Sequence, residues 1–432
     1  MNYYSLNKQA PNVSFREATI KGQAPDKGLY FPERVPVINS SIIQNIEHYS
    51  KEELSFLIMQ PYVGDTIAKE ELYRIISETI NFDFPLVSLN EKISSFELFH
   101  GPTLAFKDVG ARFMSRCLGY FSQAQKEKIT VLVATSGDTG GAVGNGFLGV
   151  DGVDVVILYP SGKVSDVQEL QLTTCGQNIA ALEIAGSFDD CQAMVKDAFM
   201  DADLMQRLQL TSANSINVAR WLPQQLYYFF AYQQWKEKEK PPVISVPSGN
   251  FGNICAGLVA SASGLPVQHF IAACNVNDAV PDYLRNGHYQ SKTAVPTISN
   301  AMDVGSPSNF VRILELFQNN YQNILAKISG YTVSDEITKQ TIAGVYKEYG
   351  YTLDPHGAVA YVALQEYLSQ HKESKGIFLE TAHPVKFPET VEAMTGKKIQ
   401  APASVAYLFT KEKRSIPMNA SFGSLKEWLL NK

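Results

Sequence analysis

The stretch Val243-Ile244-Ser245-Val246-Pro247-Ser248-Gly249-Asn250-Phe251-Gly252-Asn253-Ile254-Cys255-Ala256-Gly257-Leu258-Val259-Ala260 decides the fold. A short β-branched run stops at a Pro, Ser, Gly and Asn cluster, and a small-residue helical pattern follows. That order is the signature of a strand, a turn and a helix around a parallel sheet. Such a turn aims free backbone N–H groups and the positive end of the helix dipole at one point, the geometry that cradles a phosphate. The turn holds no Lys or Arg. A nucleotide P-loop requires G-x-x-x-x-G-K-[ST], so that a lysine meets the outer phosphates. Neutral donors around a phosphate monoester therefore fit better than ATP, and a plain βα turn rich in Gly and Asn is the alternative reading.

Three further runs repeat the pattern. Ile129 to Thr135 ends at Ser136-Gly137-Asp138-Thr139-Gly140-Gly141, Val153 to Tyr159 ends at Pro160-Ser161-Gly162, and Gly376 to Leu379 ends at Glu380-Thr381-Ala382-His383-Pro384. The expected fold class is α/β, with parallel sheets beginning near residue 95. Before that point the chain mixes polar turns with apolar helical pieces, Leu54 to Met59 and Leu72 to Ile80, and shows no strand-then-glycine unit. Ligands of open α/β sheets gather at the carboxyl ends of strands, so these four loops are where function is sought.

Composition excludes several classes. At 432 residues, 45% hydrophobic and 19% charged, the chain is long enough for about three domains and too apolar to be disordered. Its 37 Lys and Arg stand against 43 Asp and Glu, a net charge of −6, which offers no general attraction to nucleic acid or an anionic membrane. Five scattered cysteines without a Cys-x-x-Cys pair disfavour a disulfide framework or a zinc site and point to a reducing, cytoplasmic setting. No signal-peptide pattern opens the sequence, and no window approaches the ~18 uninterrupted apolar residues that span a bilayer.

Phe99-His100-Gly101-Pro102-Thr103-Leu104-Ala105-Phe106-Lys107-Asp108 runs into a helix whose apolar face carries Val109, Phe113, Met114, Cys117, Leu118 and Phe121. Lys107 then lies at the helix start, where the dipole repels an ammonium while favouring the adjacent Asp108. That repulsion, with partial burial beside Phe106, lowers the pKa of the amine and frees it for Schiff-base chemistry. An exposed first-turn lysine is the simpler alternative. Ser136 to Gly141 is dense in hydroxyls and backbone donors and suits an anionic group, or serves as a helix cap through Ser136 or Asp138. Thr381 offers a neutral hydrogen-bond partner for a ring nitrogen. His383 and Lys386 beyond it could meet an anion, although residues of this kind are commonly surface features. A literal G-x-G-x-x-G at Gly144 to Gly149 invites a dinucleotide reading, but it does not directly follow a strand, and no ribose-binding acid ends the next one. Close helix packing at small residues explains it better.

Taken in order, His100 to Asp108, Thr135 to Gly140, Ser212-Ala213-Asn214-Ser215-Ile216-Asn217 and Pro247 to Asn253 closely resemble the threonine synthase family. So do Ser14-Phe15-Arg16-Glu17-Ala18, Gly28-Leu29-Tyr30-Phe31-Pro32, Asn300-Ala301-Met302-Asp303-Val304 and Thr381-Ala382-His383-Pro384. The resemblance spans essentially the whole chain. It implies a pyridoxal 5′-phosphate enzyme of the tryptophan-synthase-β-like fold (fold type II), with two parallel-sheet domains and an N-terminal domain. Divisions are expected at 1–92, 93–230 and 231–432, with chain crossings between the two cofactor domains.

The same resemblance implies that Lys107 bonds covalently to the cofactor and that Gly249, Asn250, Phe251, Gly252 and Asn253 hold its phosphate. Thr381 is implied to face the pyridine nitrogen. Ser136, Gly137, Asp138 and Thr139 are implied to line the substrate and the O3′ side of the ring, where many relatives of the fold carry Asn in place of Asp138. A carboxylate there is repulsive to a phenolate unless one of the two is protonated. Lys163, Ser165, Asn214, Ser215, Asn217 and Arg220 are candidates for the substrate phosphate. The implied reaction is that of a carbon–oxygen lyase acting on phosphates, the last step of threonine biosynthesis. It takes O-phospho-L-homoserine and water to L-threonine and phosphate, by γ-elimination and β-addition. A phosphohomoserine lyase, a serine or threonine dehydratase and a non-catalytic relative are the alternatives, in a monomer or homodimer.

Overall fold

The computed structural model describes residues 1–123 and 128–432 and contains two parallel-type sheets facing a common cleft. In the first, the strand order is Ile328–Thr332, His269–Cys274, Val243–Pro247, Gly376–Glu380, Ile93–Glu97 and Leu86–Ser88. All neighbours are parallel except the last pair. The second is wholly parallel, in the order Ile416–Asn419, Ile179–Ala185, Val153–Pro160, Ile129–Ala134 and Gln209–Ser212. Every residue of Ile129–Ala134 and Gly376–Glu380 is buried, because helices cover both faces of each sheet. The four strand runs read from the sequence are all present, each within a residue of its expected end.

Sheet membership crosses the divisions at 1–92, 93–230 and 231–432, alongside which chain crossings are expected. Ile93–Glu97, which opens the 93–230 segment, pairs with Gly376–Glu380 in the six-stranded sheet. Ile416–Asn419, in the 231–432 segment, completes the edge of the five-stranded one. Leu86–Ser88, placed in the N-terminal segment, pairs with Ile93–Glu97. Strand partners are chosen by burial and register in space, so a contiguous cut cannot separate the two units.

The N-terminal region forms a three-stranded antiparallel sheet, Val13–Ser14, Asn2–Ser5 and Tyr30–Pro32. It shares its core with the rest of the molecule. Phe15 packs on Phe113 and Phe121 of the helix Lys107–Ser122, and Phe31 stacks on Trp221 with centroids 5.9 Å apart. The predicted apolar face of Lys107–Ser122 is buried throughout. Gly144 and Gly146 lie within the helix Asp138–Phe147. A Cβ at Gly146 would come within 3.2 Å of the Ala111 backbone, so these glycines serve helix packing, as the sequence context indicates. Among the described residues no helix is long and apolar enough to cross a membrane.

Candidate active site

The carboxyl ends of Ile129–Ala134, Val243–Pro247 and Gly376–Glu380 open onto a cleft of about 1780 Å³. Lys107, Ser136, Thr139, Lys163, Asn214, Ser215, Arg220, the whole of Gly249 to Asn253, and Thr381 line it. Six stretches scattered over 275 residues of chain, from 107 to 381, thus converge on one space.

Lys107 occupies the first turn of its helix, and no side chain caps that end. The turn before it is pinned by Asp108, whose buried carboxylate accepts the Thr103 backbone N–H at 2.9 Å and the Thr103 hydroxyl. Gly101 lets that carboxylate approach, since a Cβ there would lie 2.4 Å from Asp108 Oδ2. Lys107 Nζ stands 3.5 Å from Asp138 Oδ2 and 5.5 Å from the Phe106 ring centroid. Burial lowers the Lys107 pKa, helped by the nearby Lys386 and Arg220 charges and opposed by Asp138. The amine is thus biased toward its neutral, nucleophilic form.

The glycine loop has the features of an anion cradle. Phe251 adopts a left-handed conformation (φ 60°), and the helix Gly252–Ala262 begins without a side-chain cap, leaving its first-turn N–H groups free for a ligand. Gly249 passes so close to the Asn300–Met302 turn that a Cβ would lie 2.6 Å from Met302 Cα. Asn250 reaches across the loop: its Nδ2 donates to Ser215 Oγ at 2.7 Å, while its Oδ1 accepts from Ser308 N and Oγ, both at 2.7 Å. Asn253 is held by Tyr228, whose hydroxyl donates to its Oδ1 at 2.8 Å, and its buried Nδ2 has no partner among the described residues. An unpartnered buried donor facing a cleft is costly unless a ligand accepts from it. Behind Met302, Ala301 N donates to His356 Nε2 at 3.2 Å, and His356 Nδ1 bonds Asp354 Oδ1 at 2.6 Å.

Not every candidate faces the cleft. Asn217 is buried and structural: its Nδ2 donates to Thr19 O at 2.9 Å, and its Oδ1 caps the helix Val218–Trp221 through Ala219 N. Ser165 is spent on a capping box with Gln168. Gly137 lies under Gln168, where a Cβ would come within 2.4 Å of Cδ, and does not line the cleft. Asp138 sits just behind the wall. Lys386, for which the sequence leaves open an anion contact or a surface position, is completely buried, and its Nζ bonds Asp138 Oδ1 at 2.9 Å, joined by Gln168 Nε2 at 3.0 Å. Burial would raise the Asp138 pKa, but Lys386 and then Lys107 outweigh it and hold the carboxylate well below its usual range. The cation that pairs with Asp138 thus comes from a lysine 248 residues away in the chain. His383 turns away from the cleft, with Nδ1 accepting Val385 N and its ring edge-on to Phe99.

A half-buried lysine and an uncapped, glycine-walled loop with an unsatisfied amide line one cleft, the parts that a pyridoxal-phosphate-dependent enzyme requires. Residues 96–379 match the family model described as pyridoxal-phosphate dependent enzyme, residues 2–80 the threonine synthase N terminus, and residues 357–428 the threonine synthase C-terminal model. The chain is 43% identical to the threonine synthase of Escherichia coli (strain K12), with 100% of both chains covered. Its structure superimposes on the crystal structure of threonine synthase from Escherichia coli with a TM-score of 0.92 over 100% of both chains. It also matches the PLP-bound threonine synthase from Brucella melitensis, with a TM-score of 0.94 at 34% identity, covering 100% of this chain and 99% of that one. The chain belongs to the threonine synthase family, and its cofactor is pyridoxal 5′-phosphate. Likeness to maize serine racemase, at 16% identity and a TM-score of 0.56, shows the shared fold alone.

Proposed function

We propose that this protein converts O-phospho-L-homoserine and water to L-threonine and phosphate, with Lys107 as the cofactor-bearing and proton-transferring residue. The observation that carries this reading is the half-buried Lys107 amine, pKa-lowered and beside Asp138, on a cleft whose wall is the uncapped Gly249 to Asn253 loop. Gly249, Asn250, Phe251, Gly252 and Asn253 hold the cofactor phosphate, and the Thr381 hydroxyl meets the ring nitrogen. When bound, the cofactor supplies an electron sink for the carbanions that elimination requires.

The rest of the work falls to the chain. Lys107 removes the Cα proton and returns protons to the substrate carbons, a role that its lowered proton affinity favours. Ser136 and Thr139, on the cleft wall, bind the substrate carboxylate. Lys163, Asn214, Ser215 and Arg220, polar residues that line the same cleft, receive the substrate phosphate. Arg220 suits this role because it is buried and, among the described residues, is paired only with a carbonyl, Ala213 O, and has no partner for its Nε. Elimination at Cγ expels phosphate, and water adds at Cβ.

The test follows threonine and phosphate in one reaction on the purified protein, with the visible spectrum recorded alongside. Equal yields of threonine and phosphate support the reading. Release of phosphate with 2-oxobutyrate and ammonia assigns a lyase instead, and turnover of serine or threonine with no action on the phosphate ester assigns a dehydratase.

A further inference from the structure

We propose that Lys386 is a positioning residue for the reaction: its Nζ is the ion partner of Asp138 and fixes that carboxylate in place beside the Lys107 amine. The proposal rests on the reading of Lys107 as the cofactor-bearing lysine.

The geometry is specific. Lys386 is 0% exposed and Asp138 3%, and they meet at 2.9 Å through Oδ1. The other carboxylate oxygen, Oδ2, is the one turned to Lys107 Nζ. A lysine without solvent is expensive unless its charge is matched, and among the described residues Asp138 is the one carboxylate within ion-pair distance. The segment that carries Lys386 is stitched to the segment that carries Lys107. Phe106 N donates to Thr381 O at 2.9 Å, His383 N to Leu104 O at 3.0 Å, and Lys386 N to His383 O at 3.1 Å. Lys386 therefore reaches Asp138 from a backbone frame that also sets the position of Lys107.

The charges around the pair explain why two lysines are needed. Asp138 faces Lys107, Lys386 and the neutral Gln168; Lys107 faces Asp138, with Lys386 and Arg220 nearby. Asp108, the other carboxylate near Lys386, is already occupied by Thr103. Once Lys107 is engaged covalently its ammonium is no longer available as a free ion partner. Without Lys386, Asp138 would then be a buried carboxylate short of its matching cation.

The test compares four holoenzymes by visible absorbance across pH 5.5–9.5 (a range of about four units centred near neutrality): the parent, Lys386→Met, Lys386→Arg, and the double variant Asp138→Asn/Lys386→Met. Loss of the cation raises the proton affinity of both Asp138 and the Lys107 nitrogen, so in Lys386→Met the titration midpoint moves to higher pH by about 1–3 units. The same variant loses kcat with little change in KM, Lys386→Arg recovers part of both, and the double variant lacks the shift. A Lys386→Met titration superimposable on the parent, or a double variant with the same shift as the single, overturns the proposal. Should Lys386→Met fail to fold, a folded double variant supports the pairing, and failure of both assigns Lys386 to packing alone and overturns it. A parent band that survives Lys107→Ala refutes the underlying reading of Lys107 instead, so the two failures are distinguishable.

Discussion

Gly249→Ala is the sharpest probe of the anion cradle. The added methyl would lie 2.6 Å from Met302 Cα and 2.9 Å from Ala301 O, against the ~3.5–4.0 Å of an ordinary carbon contact. One side must move by about 1 Å. The Met302 side cannot easily give. Ala301 N is held by His356, and Asp303 by Asn275, Asn277 and Thr297, with Asn275 Nδ2 to Asp303 Oδ1 at 2.9 Å and Thr297 Oγ1 to the same oxygen at 2.7 Å. The glycine loop yields instead, and its N–H groups lose alignment with the anion. Overpacking of this kind costs about 1–3 kcal/mol, which charged to cofactor binding is a loss of about 5- to 150-fold in affinity. Titration of the apoprotein with pyridoxal phosphate, read by absorbance, measures it directly, and a thermal melt separates the binding loss from a folding loss. A variant whose Kd stays within twofold of the parent would refute the cradle as described.

Lys107→Ala should lose the visible band and at least about 10³ in turnover, the scale of a lost general base combined with a lost covalent tether; parent-like turnover in a stopped assay would remove Lys107 from catalysis. Arg312 is fully buried over Trp221 and donates to Tyr30 O, Ser215 O and Ile216 O, joining the N-terminal sheet to the Ser215 loop. Arg312→Ala leaves those carbonyls unpaired and should destabilise by about 3 kcal/mol or more in urea unfolding, and Arg312→Lys should recover little because one ammonium cannot replace the fork. Glu380 is buried beside Asp354, and burial followed by that neighbouring charge raises its pKa well above the ordinary value. The folded chain thus holds a proton that the unfolded chain releases above about pH 4.5, so this group lowers stability as pH rises from there toward its raised folded pKa. Glu380→Gln removes that dependence, and its melting temperature should gain on the parent between pH 5 and pH 8 (a window of about three units above the carboxylate range); a constant difference would show that Glu380 is ionised in the fold.

The strand-turn-helix stretches and the helix start at Lys107 are local features, written in neighbouring residues, and the sequence by itself determined them. Periodicity placed the buried face of Lys107–Ser122, and an uncapped Gly-Asn loop after Val243–Pro247 announced an anion site. Resemblance then attached chemistry to those loops. What the sequence could not supply were relations between distant residues. Strand membership crosses every contiguous division, because Ile93–Glu97 and Ile416–Asn419 find their partners through burial and register rather than proximity in the chain. Asn217 and Ser165 look like anion ligands in sequence but are helix caps in space, since a hydroxyl or amide of the same type does either job. Lys386 reads in sequence as a residue that meets an anion or lies at the surface, and only the tertiary structure removes it from water and sets it on Asp138. A charge has no local pattern that marks its partner: the cost of burying it, and the ion 248 residues away that offsets this cost, exist only once the chain has folded.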